Sequence, residues 1–311
     1  MKIVVTGATG HIGSLLIREL ATKFAGSKIV MIDNMMTNRF PSLFNLPATA
    51  SYRFIEADLT HFDLTSTLKD AYVLIHLAAI TDAAGSFDKA ELVERNNYHA
   101  TLKVANACAL TGTRLITISS TSVYGTQSEM VSEECPESEL KPQSPYAVTK
   151  LREEELVARL SLESNLKAVS CRFGTIFGTS PGMRFHTAVN KFCWQAVMGQ
   201  PISIWSTAYD QKRPYLDIVD AVNAIAFLIK NDIFNGKVFN VLTHNLTVRQ
   251  VTDTIKDFLP EIQIQFVDHK IMNQMSYEVS CDRFLSLGFS FEGNLKRGIF
   301  DTISLLQQAN N

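Results

Sequence analysis

The 311-residue chain has little that points to secretion, metal binding or a membrane. Its five cysteines are scattered and include no C-x-x-C pair, a pattern typical of reduced intracellular thiols. The seven histidines are dispersed, and no group of His and Cys has the spacing of a zinc site. The apolar run that begins at Ile3 ends at Val5, too short for a signal peptide or a membrane span. We therefore expect a cytoplasmic protein with no metal and no membrane association.

The chain also lacks an excess of charge of either sign. A net charge of −2 gives no general attraction to nucleic acid or to an anionic membrane. Hydrophobic residues make up 46% of the chain, as in soluble globular proteins. A chain of this length can bury a large core, so we expect one large unit or two coupled lobes.

Short β-branched runs alternate with helical stretches in the first half, which predicts a parallel sheet covered on both faces. After Arg172 the pattern becomes mixed, and residues 206–214 are polar and rich in turn formers. We predict an α/β fold: a doubly wound Rossmann domain over residues 1–174, with residues 215–241 returning to it. A smaller, interleaved C-terminal α/β lobe over residues 175–311 would bind substrate. The predicted strands are Lys2–Val5, Lys28–Ile32, Tyr52–Glu56, Tyr72–Leu77, Arg114–Ser119 and Ala168–Arg172.

A glycine-rich turn lies between the first predicted strand and the first predicted helix. Gly7, Gly10 and Gly13 allow the backbone to turn tightly and to approach a pyrophosphate at the helix N-terminus. Asp33 ends the next predicted strand, where an acid can bind ribose hydroxyls and repel a 2′-phosphate. This arrangement predicts NAD rather than NADP, although Arg39 is close in sequence to Asp33.

Two further segments that follow predicted strands are candidates to contact the cofactor. Asp58 and Leu59 follow the third strand, where Asp58 serves either the adenine pocket or a helix N-cap. Leu77, Ala78 and Ala79 follow the fourth strand, and small side chains there would let the chain lie against the cofactor. The preceding His76 is more typical of a hydrogen-bonded core histidine than of a catalyst.

The stretch Tyr146-Ala-Val-Thr-Lys150 is the most informative part of the chain. A tyrosine and a lysine at this spacing share one helical face. An ammonium near a phenol favours the phenolate, so the tyrosine can act as a general base for a substrate hydroxyl and as an acid in reverse. The upstream Ser119-Ser120-Thr121 supplies a serine that could hold the reacting oxygen.

Together these elements resemble the extended short-chain dehydrogenase/reductase family, and within it the NAD-dependent nucleotide-sugar epimerases and dehydratases. Further matching segments are Ser119 to Gly125, Arg172 to Gly178 and Arg213-Pro-Tyr-Leu-Asp217. The resemblance implies catalysis by Ser120, Tyr146 and Lys150, a nucleotide-diphosphate-sugar substrate and a homodimer formed by two long helices. The NAD contacts that motifs and resemblance indicate are Gly7, Gly10, His11, Ile12, Gly13, Asp33, Asn34, Asp58, Leu59, Leu77, Ala78, Ala79, Asn97, Tyr146, Lys150 and Phe173.

The residues after Ser120 bear on the type of reaction. In sugar-nucleotide 4,6-dehydratases this stretch resembles Thr-Asp-Glu, with the Asp and the Glu at the two positions after the catalytic residue. Elimination of water needs such an acid and base. This chain has Thr121 and Ser122 instead. The difference favours simple hydride chemistry, most of all a 4-epimerase in which NAD takes and returns one hydride.

The resemblance also indicates where substrate binds. Arg213 matches the family arginine that binds the nucleotide diphosphate, and a guanidinium suits phosphate through its bidentate donors. Thr175 stands where many epimerases carry a substrate-binding asparagine, and Arg184 is a candidate to replace that contact. The full set of expected substrate contacts is Thr81, Ser120, Thr121, Thr175, Arg184, Asn190 and Arg213.

Other functions remain open at this level. The protein could be a nucleotide-sugar dehydrogenase or ketoreductase, or an extended short-chain dehydrogenase acting on a non-sugar hydroxyl. A non-catalytic NAD-binding protein is a further alternative, but it would not need Ser120, Tyr146 and Lys150 together.

Overall fold

The computed structural model describes residues 1–81, 85–127, 129–267 and 276–309. Its first half alternates strands and helices, as the sequence predicts. These elements are β1 (Lys2–Thr6), α1 (His11–Lys23), β2 (Lys28–Asp33), β3 (Ser51–Glu56), α2 (Leu64–Leu68), β4 (Val73–His76), α3 (Ala90–Thr111), β5 (Arg114–Ser120), α4 (Pro145–Glu163) and β6 (Ala168–Phe173).

The second half contains shorter strands between helices. Its elements are β7 (Thr175–Phe177), α5 (Ala188–Val197), β8 (Ile202–Trp205), β9 (Lys212–Asp217), α6 (Ile218–Lys230), β10 (Val238–Val241), β11 (His244–Thr247), α7 (Val248–Lys256), β12 (Ile264–Val267), α8 (Asp282–Leu285) and α9 (Leu295–Gln307). None of the helices in the described residues combines the length and the apolar character needed to cross a membrane.

A seven-stranded sheet forms the centre of the molecule. Its strand order is β10-β6-β5-β4-β1-β2-β3, and every neighbouring pair is parallel. This topology confirms the predicted doubly wound Rossmann fold. The order reverses between β1 and β4, and in such sheets ligands bind outside the carboxyl ends of the strands at that point.

Helices cover both faces of this sheet, which explains why its strands are apolar without alternation. Leu16 and Ile17 of α1 pack with Ile225 and Leu228 of α6 in the core on one face. On the other face, α2, α3 and α4 enclose a second core that includes Val104. β10 lies at the edge of the large sheet and α6 packs beside α1, so residues 218–241 belong to this sheet and its helices.

The smaller lobe is built around two short sheets. One has the order β11-β9-β7 and the other pairs β12 with β8. Residues 212–214, which the sequence analysis assigned to a turn-rich loop, instead begin β9. They are held there because Arg213 pairs with Leu246 of β11, while Tyr215 pairs with Thr175 of β7.

Candidate active site

One cavity of about 640 Å³ runs along the carboxyl ends of the central strands and into the smaller lobe. It brings together most of the residues that the sequence analysis selected. Those lining it are Gly7, Gly10, His11, Ile12, Gly13, Asp33, Asn34, Asp58, Leu59, Leu77, Ala78, Ala79, Thr81, Ser120, Thr121, Tyr146, Lys150, Phe173, Thr175, Arg184 and Arg213.

The glycine loop leaves room for a phosphate. Gly7 has φ +65°, and a Cβ there would lie 2.6 Å from the Ala78 nitrogen, so only glycine fits. Gly10 is the N-cap of α1 and offers no side-chain cap to the helix. No side chain of the N-cap residue therefore occupies the first amides of α1, and these amides suit an anion such as a pyrophosphate.

Asp33 lies at the end of β2 and braces this loop. Its carboxylate accepts hydrogen bonds from the backbone nitrogens of Thr9 and Met35, each at 3.0 Å. Each carboxylate oxygen keeps further acceptor capacity for a ribose hydroxyl. Arg39 also lines the cavity. Burial lowers the pKa of Arg39, and the nearby Asp33 charge opposes that effect.

Asp58 lines the adenosine end of the cavity but does not cap α2. Its Oδ1 accepts from the backbone nitrogen and the hydroxyl of Thr60, at 2.9 and 2.7 Å. Burial raises the pKa of Asp58, but the Thr60 hydrogen bonds and the charges of His61 and Arg95 together outweigh this effect and leave the pKa below its usual range. The N-cap of α2 is Asp63, which accepts from Thr65.

His76 at the end of β4 is a buried, hydrogen-bonded histidine. Its Nδ1 lies 2.7 Å from the Thr6 hydroxyl and its Nε2 lies 3.1 Å from the Thr101 hydroxyl. Burial, together with the charge of Lys150, lowers the pKa of His76 to about 3. The ring is therefore neutral at physiological pH and both of its nitrogens are occupied.

The residues predicted to be catalytic come from β5 and from the first turns of α4. Ser144 caps α4 by accepting from the Ala147 nitrogen at 3.2 Å, which fixes the start of the helix that carries Tyr146 and Lys150. The Lys150 ammonium lies 5.9 Å from the centre of the Tyr146 ring. Ser120 ends β5, and its hydroxyl accepts from the backbone nitrogen and the hydroxyl of Ser122, at 3.2 and 2.9 Å.

Arg213 enters the cavity from β9. Its Nε and Nη2 are buried, and neither has a hydrogen-bond partner in the described part of the chain. Buried donors are almost always satisfied, and two guanidinium donors without partners beside a cavity suit an anionic group. Arg184, from the segment after β7, contacts the Thr81 hydroxyl.

Two predicted contacts do not line the cavity. The Asn97 side chain instead accepts from the Ile80 nitrogen at 2.8 Å and donates to the Ile80 carbonyl at 2.9 Å. Asn190 accepts from the Gly178 nitrogen at 3.2 Å and donates to the Arg184 carbonyl at 3.2 Å. In this structure each amide holds a loop whose neighbouring residues face the cavity.

Several cavity residues were missed by the sequence analysis. Tyr277 is buried with its hydroxyl 3.5 Å from the Thr121 hydroxyl. Burial raises its pKa, whereas Thr121 and the charge of Arg213 lower it. Trp205, at the end of β8, also lines the cavity. Neither residue stands in a motif, so local sequence carried no signal for them.

Comparison with known proteins adds a family match. The model of the NAD dependent epimerase/dehydratase family matches residues 3–241. The trifunctional UDP-glucose 4,6-dehydratase/UDP-4-keto-6-deoxy-D-glucose 3,5-epimerase/UDP-4-keto-L-rhamnose-reductase RHM2 of Arabidopsis thaliana is 29% identical over 99% of this chain and 47% of its own length. The chain thus spans about half the length of this relative. A UDP-glucose 4-epimerase of Mycolicibacterium smegmatis is 30% identical over 72% of each protein.

Solved structures agree with the family match. The UDP-glucuronic acid 4-epimerase of Bacillus cereus, in complex with UDP-glucuronic acid and NAD, has a TM-score of 0.90 and 25% identity, over 99% of this chain and all of that chain. MoeE5 in complex with UDP-glucuronic acid and NAD has a TM-score of 0.87 and 28% identity over the same shares. The NAD-binding architecture is therefore common to this chain and to these structures.

Proposed function

Because the chain belongs to the NAD-dependent epimerase/dehydratase family, we propose that it is a nucleotide-diphosphate-sugar 4-epimerase that acts on a UDP-sugar. The family and the Rossmann fold account for NAD as the cofactor. The nature of the substrate and of the reaction rests on the residues in the other half of the cavity.

The residues present fit NAD. The loop at Gly7 and Gly10 suits its pyrophosphate, Asp33 suits the adenosine ribose, and Lys150 suits the nicotinamide ribose. When bound, NAD accepts a hydride from the sugar and returns it. Tyr146 removes the proton from the sugar 4-hydroxyl, and the Lys150 charge stabilises the phenolate that does so. Ser120 donates a hydrogen bond to the reacting oxygen and stabilises the 4-keto sugar.

The vacant donors of Arg213 are the observation that carries the proposed substrate. Two buried guanidinium nitrogens without partners carry a desolvation cost that a bidentate phosphate contact would offset. Arg184 and Lys191 also line the cavity and make it more positive. A neutral hydroxyl substrate would leave the two Arg213 donors without an acceptor, so a diphosphate fits better.

The acid–base groups of the cavity favour epimerisation over elimination. Among the described residues that line it, the carboxylates are Asp33 and Asp58, both at the adenosine end. At the catalytic end, Thr121 lies beside Tyr277 and Ser122 donates to Ser120. Hydroxyls do not supply the acid and base that elimination of water needs near neutral pH.

The experiment is incubation with a panel of UDP-, dTDP-, GDP- and CDP-sugars, followed by proton NMR of the sugars. We expect a UDP-sugar to reach an equilibrium of its two C4 epimers with no net production of NADH. Stoichiometric NADH would instead indicate a dehydrogenase, and a 4-keto-6-deoxy sugar would indicate a dehydratase. A complementary measurement is the melting temperature of the NAD-loaded protein with UDP, which should rise.

We also propose that the protein is a cytoplasmic homodimer. The long helices α3 and α4 carry exposed apolar residues, including Leu110, Val148 and Leu162, which a partner copy would cover. All five cysteines are free, as expected in a reducing compartment. Light scattering during gel filtration tests the dimer, and Val148→Glu should shift it towards monomer.

A further inference from the structure

A second carboxylate on α4 contacts the lysine of the catalytic pair. The Lys150 ammonium lies 2.8 Å from Glu153 Oε2, and the two side chains are only 6% and 4% exposed. The same ammonium lies 5.9 Å from the centre of the Tyr146 ring. The positive charge expected to assist Tyr146 is therefore already paired with a buried negative charge.

The other titratable groups around this pair do not change its charge balance. On α4, Glu154 lies one residue further on and forms a buried ion pair with Arg172 of β6, 2.6 Å from Nη2 to Oε2. From β4, His76 faces Lys150, but burial and the Lys150 charge lower the pKa of His76 to about 3, so the ring is neutral. Tyr277 also interacts electrostatically with Tyr146, but burial raises the pKa of Tyr277, so its phenol is neutral near physiological pH.

A contribution to stability does not by itself explain this pair, because burying two charges costs desolvation free energy. Buried ion pairs often contribute no more stability than well-packed apolar residues would. Glu153 Oε1 has no close hydrogen-bond partner within the described residues, although the Thr101 hydroxyl acts on the carboxylate from farther away, so its desolvation cost is offset only in part. Burial also raises the pKa of Glu153 despite the opposing charge of Lys150. A stabilising role is thus a weak explanation for this carboxylate.

We propose that Glu153 is a positioning residue for the reaction, whose buried carboxylate holds the Lys150 ammonium against α4 and offsets its charge beside Tyr146. The inference rests on the proposed role of Tyr146 as general base. An ammonium has three N–H donors, so the Glu153 contact leaves others for a ribose hydroxyl. Because a nearby negative charge opposes loss of a proton, removing the Glu153 charge should make the first ionisation of the Tyr146–Lys150 pair easier.

The direct test follows the ionisation of Tyr146 rather than turnover. Protein labelled with ¹³C at tyrosine Cζ is titrated by NMR, and the Tyr146 signal is assigned by its loss in Tyr146→Phe. In Glu153→Gln, we expect the first ionisation of the pair to move down by about one pH unit, the scale of a charge removed at this range in a partly screened site. The acid limb of kcat/KM against pH should move by the same amount.

Two variants separate this effect from a structural one. Glu153→Asp keeps the charge and should titrate close to the wild type. Glu154→Gln removes an equally buried carboxylate from the same helix and, because that carboxylate is paired with Arg172, should lower the melting temperature with a smaller change in the Tyr146 titration. If Glu153→Gln does not fold, Glu153→Met removes the charge with an apolar side chain of similar length and should give the same shift.

The outcomes are decisive in either direction. A folded charge-removing variant whose Tyr146 signal titrates as in the wild type overturns the proposal, as does an equal shift in Glu154→Gln. The NMR titration needs no substrate, so it is independent of the proposed reaction. A protein that shows the shift but epimerises no nucleotide-sugar would contradict the proposed function and leave the role of Glu153 in place.

Discussion

The Nε2 atom of His11 lies 2.9 Å from the carbonyl oxygen of Gly178. Because a carbonyl only accepts, the neutral ring carries its proton on Nε2, and its Nδ1 has no partner among the residues described. The Ser180 hydroxyl donates to the His11 carbonyl at 2.8 Å. The glycine loop is thereby joined to the segment after β7, so the two lobes are connected at the phosphate end of the cavity.

This contact and the buried His76 predict a loss of stability in mild acid. Burial, together with the charge of Arg184, lowers the pKa of His11 to about 3. Burial likewise lowers the pKa of His76 to about 3. Below about pH 6.5 the unfolded chain protonates both rings and the folded chain does not, so stability falls as the pH drops from about 6.5 towards 3. Between pH 7 and pH 5 we expect each ring to cost about 2 kcal/mol of the free energy of unfolding.

Urea unfolding at pH 7 and pH 5 measures that loss. His11→Phe should reduce the difference between the two pH values by about one histidine's share. His99→Gln, at an exposed position, is the matched control and should leave the difference as in the wild type. An unchanged difference in His11→Phe would contradict the assignment of His11.

The chemistry predicts a severe effect of Tyr146→Phe. The substitution keeps the ring and removes the acid–base group, so turnover should fall at least ~100-fold. NADH binding, measured by fluorescence, should change little, because the glycine loop and Asp33 remain. Turnover near that of the wild type would show that another group moves the proton.

The carboxylate of Asp33 predicts tighter binding of NADH than of NADPH. It would repel a 2′-phosphate and accept from ribose hydroxyls, so fluorescence titration should show clearly tighter NADH binding. Asp33→Asn should weaken this preference. Equal or tighter NADPH binding by the wild type would instead indicate that Arg39 binds the 2′-phosphate. Arg39→Ala should then abolish NADPH binding.

The vacant donors of Arg213 predict a substrate-specific loss in Arg213→Ala. Removing a buried charge-assisted contact costs on the order of 2–5 kcal/mol. The loss should appear mainly in KM and kcat/KM, because the diphosphate is remote from the reacting carbon. Arg213→Lys should rescue only partly, since it lacks the planar fork.

Steady-state kinetics with the active UDP-sugar measure the loss in Arg213→Ala, and an NADH titration checks that cofactor binding is unchanged. Arg249→Ala is a matched control, because Arg249 is an exposed arginine of the same lobe that is already paired with Asp210 at 2.7 Å. If Arg213→Ala has the kinetics of the control, Arg213 does not bind the diphosphate.

The sequence by itself determined the Rossmann sheet and selected the residues that we propose for the chemistry. Apolar strands alternating with helices specify parallel pairing through local pattern, and the structure has that sheet. The Tyr146–Lys150 spacing and the glycine spacing are likewise local, since a helix and a tight turn fix relative positions within a few residues. The two spacings could be predicted because each joins residues that are close both in sequence and in space.

Tertiary structure decided what the remaining polar residues contact. Asn97 and Asn190 resemble ligand contacts in sequence, but packing turns their amides onto the backbone of Ile80, Gly178 and Arg184. Tyr277 reaches Thr121 across 156 positions of the chain, a contact that no local pattern encodes. The burial of Glu153 against Lys150 likewise depends on the helices and strands packed around α4, because the desolvation that gives this ion pair its effect is a property of the folded interior.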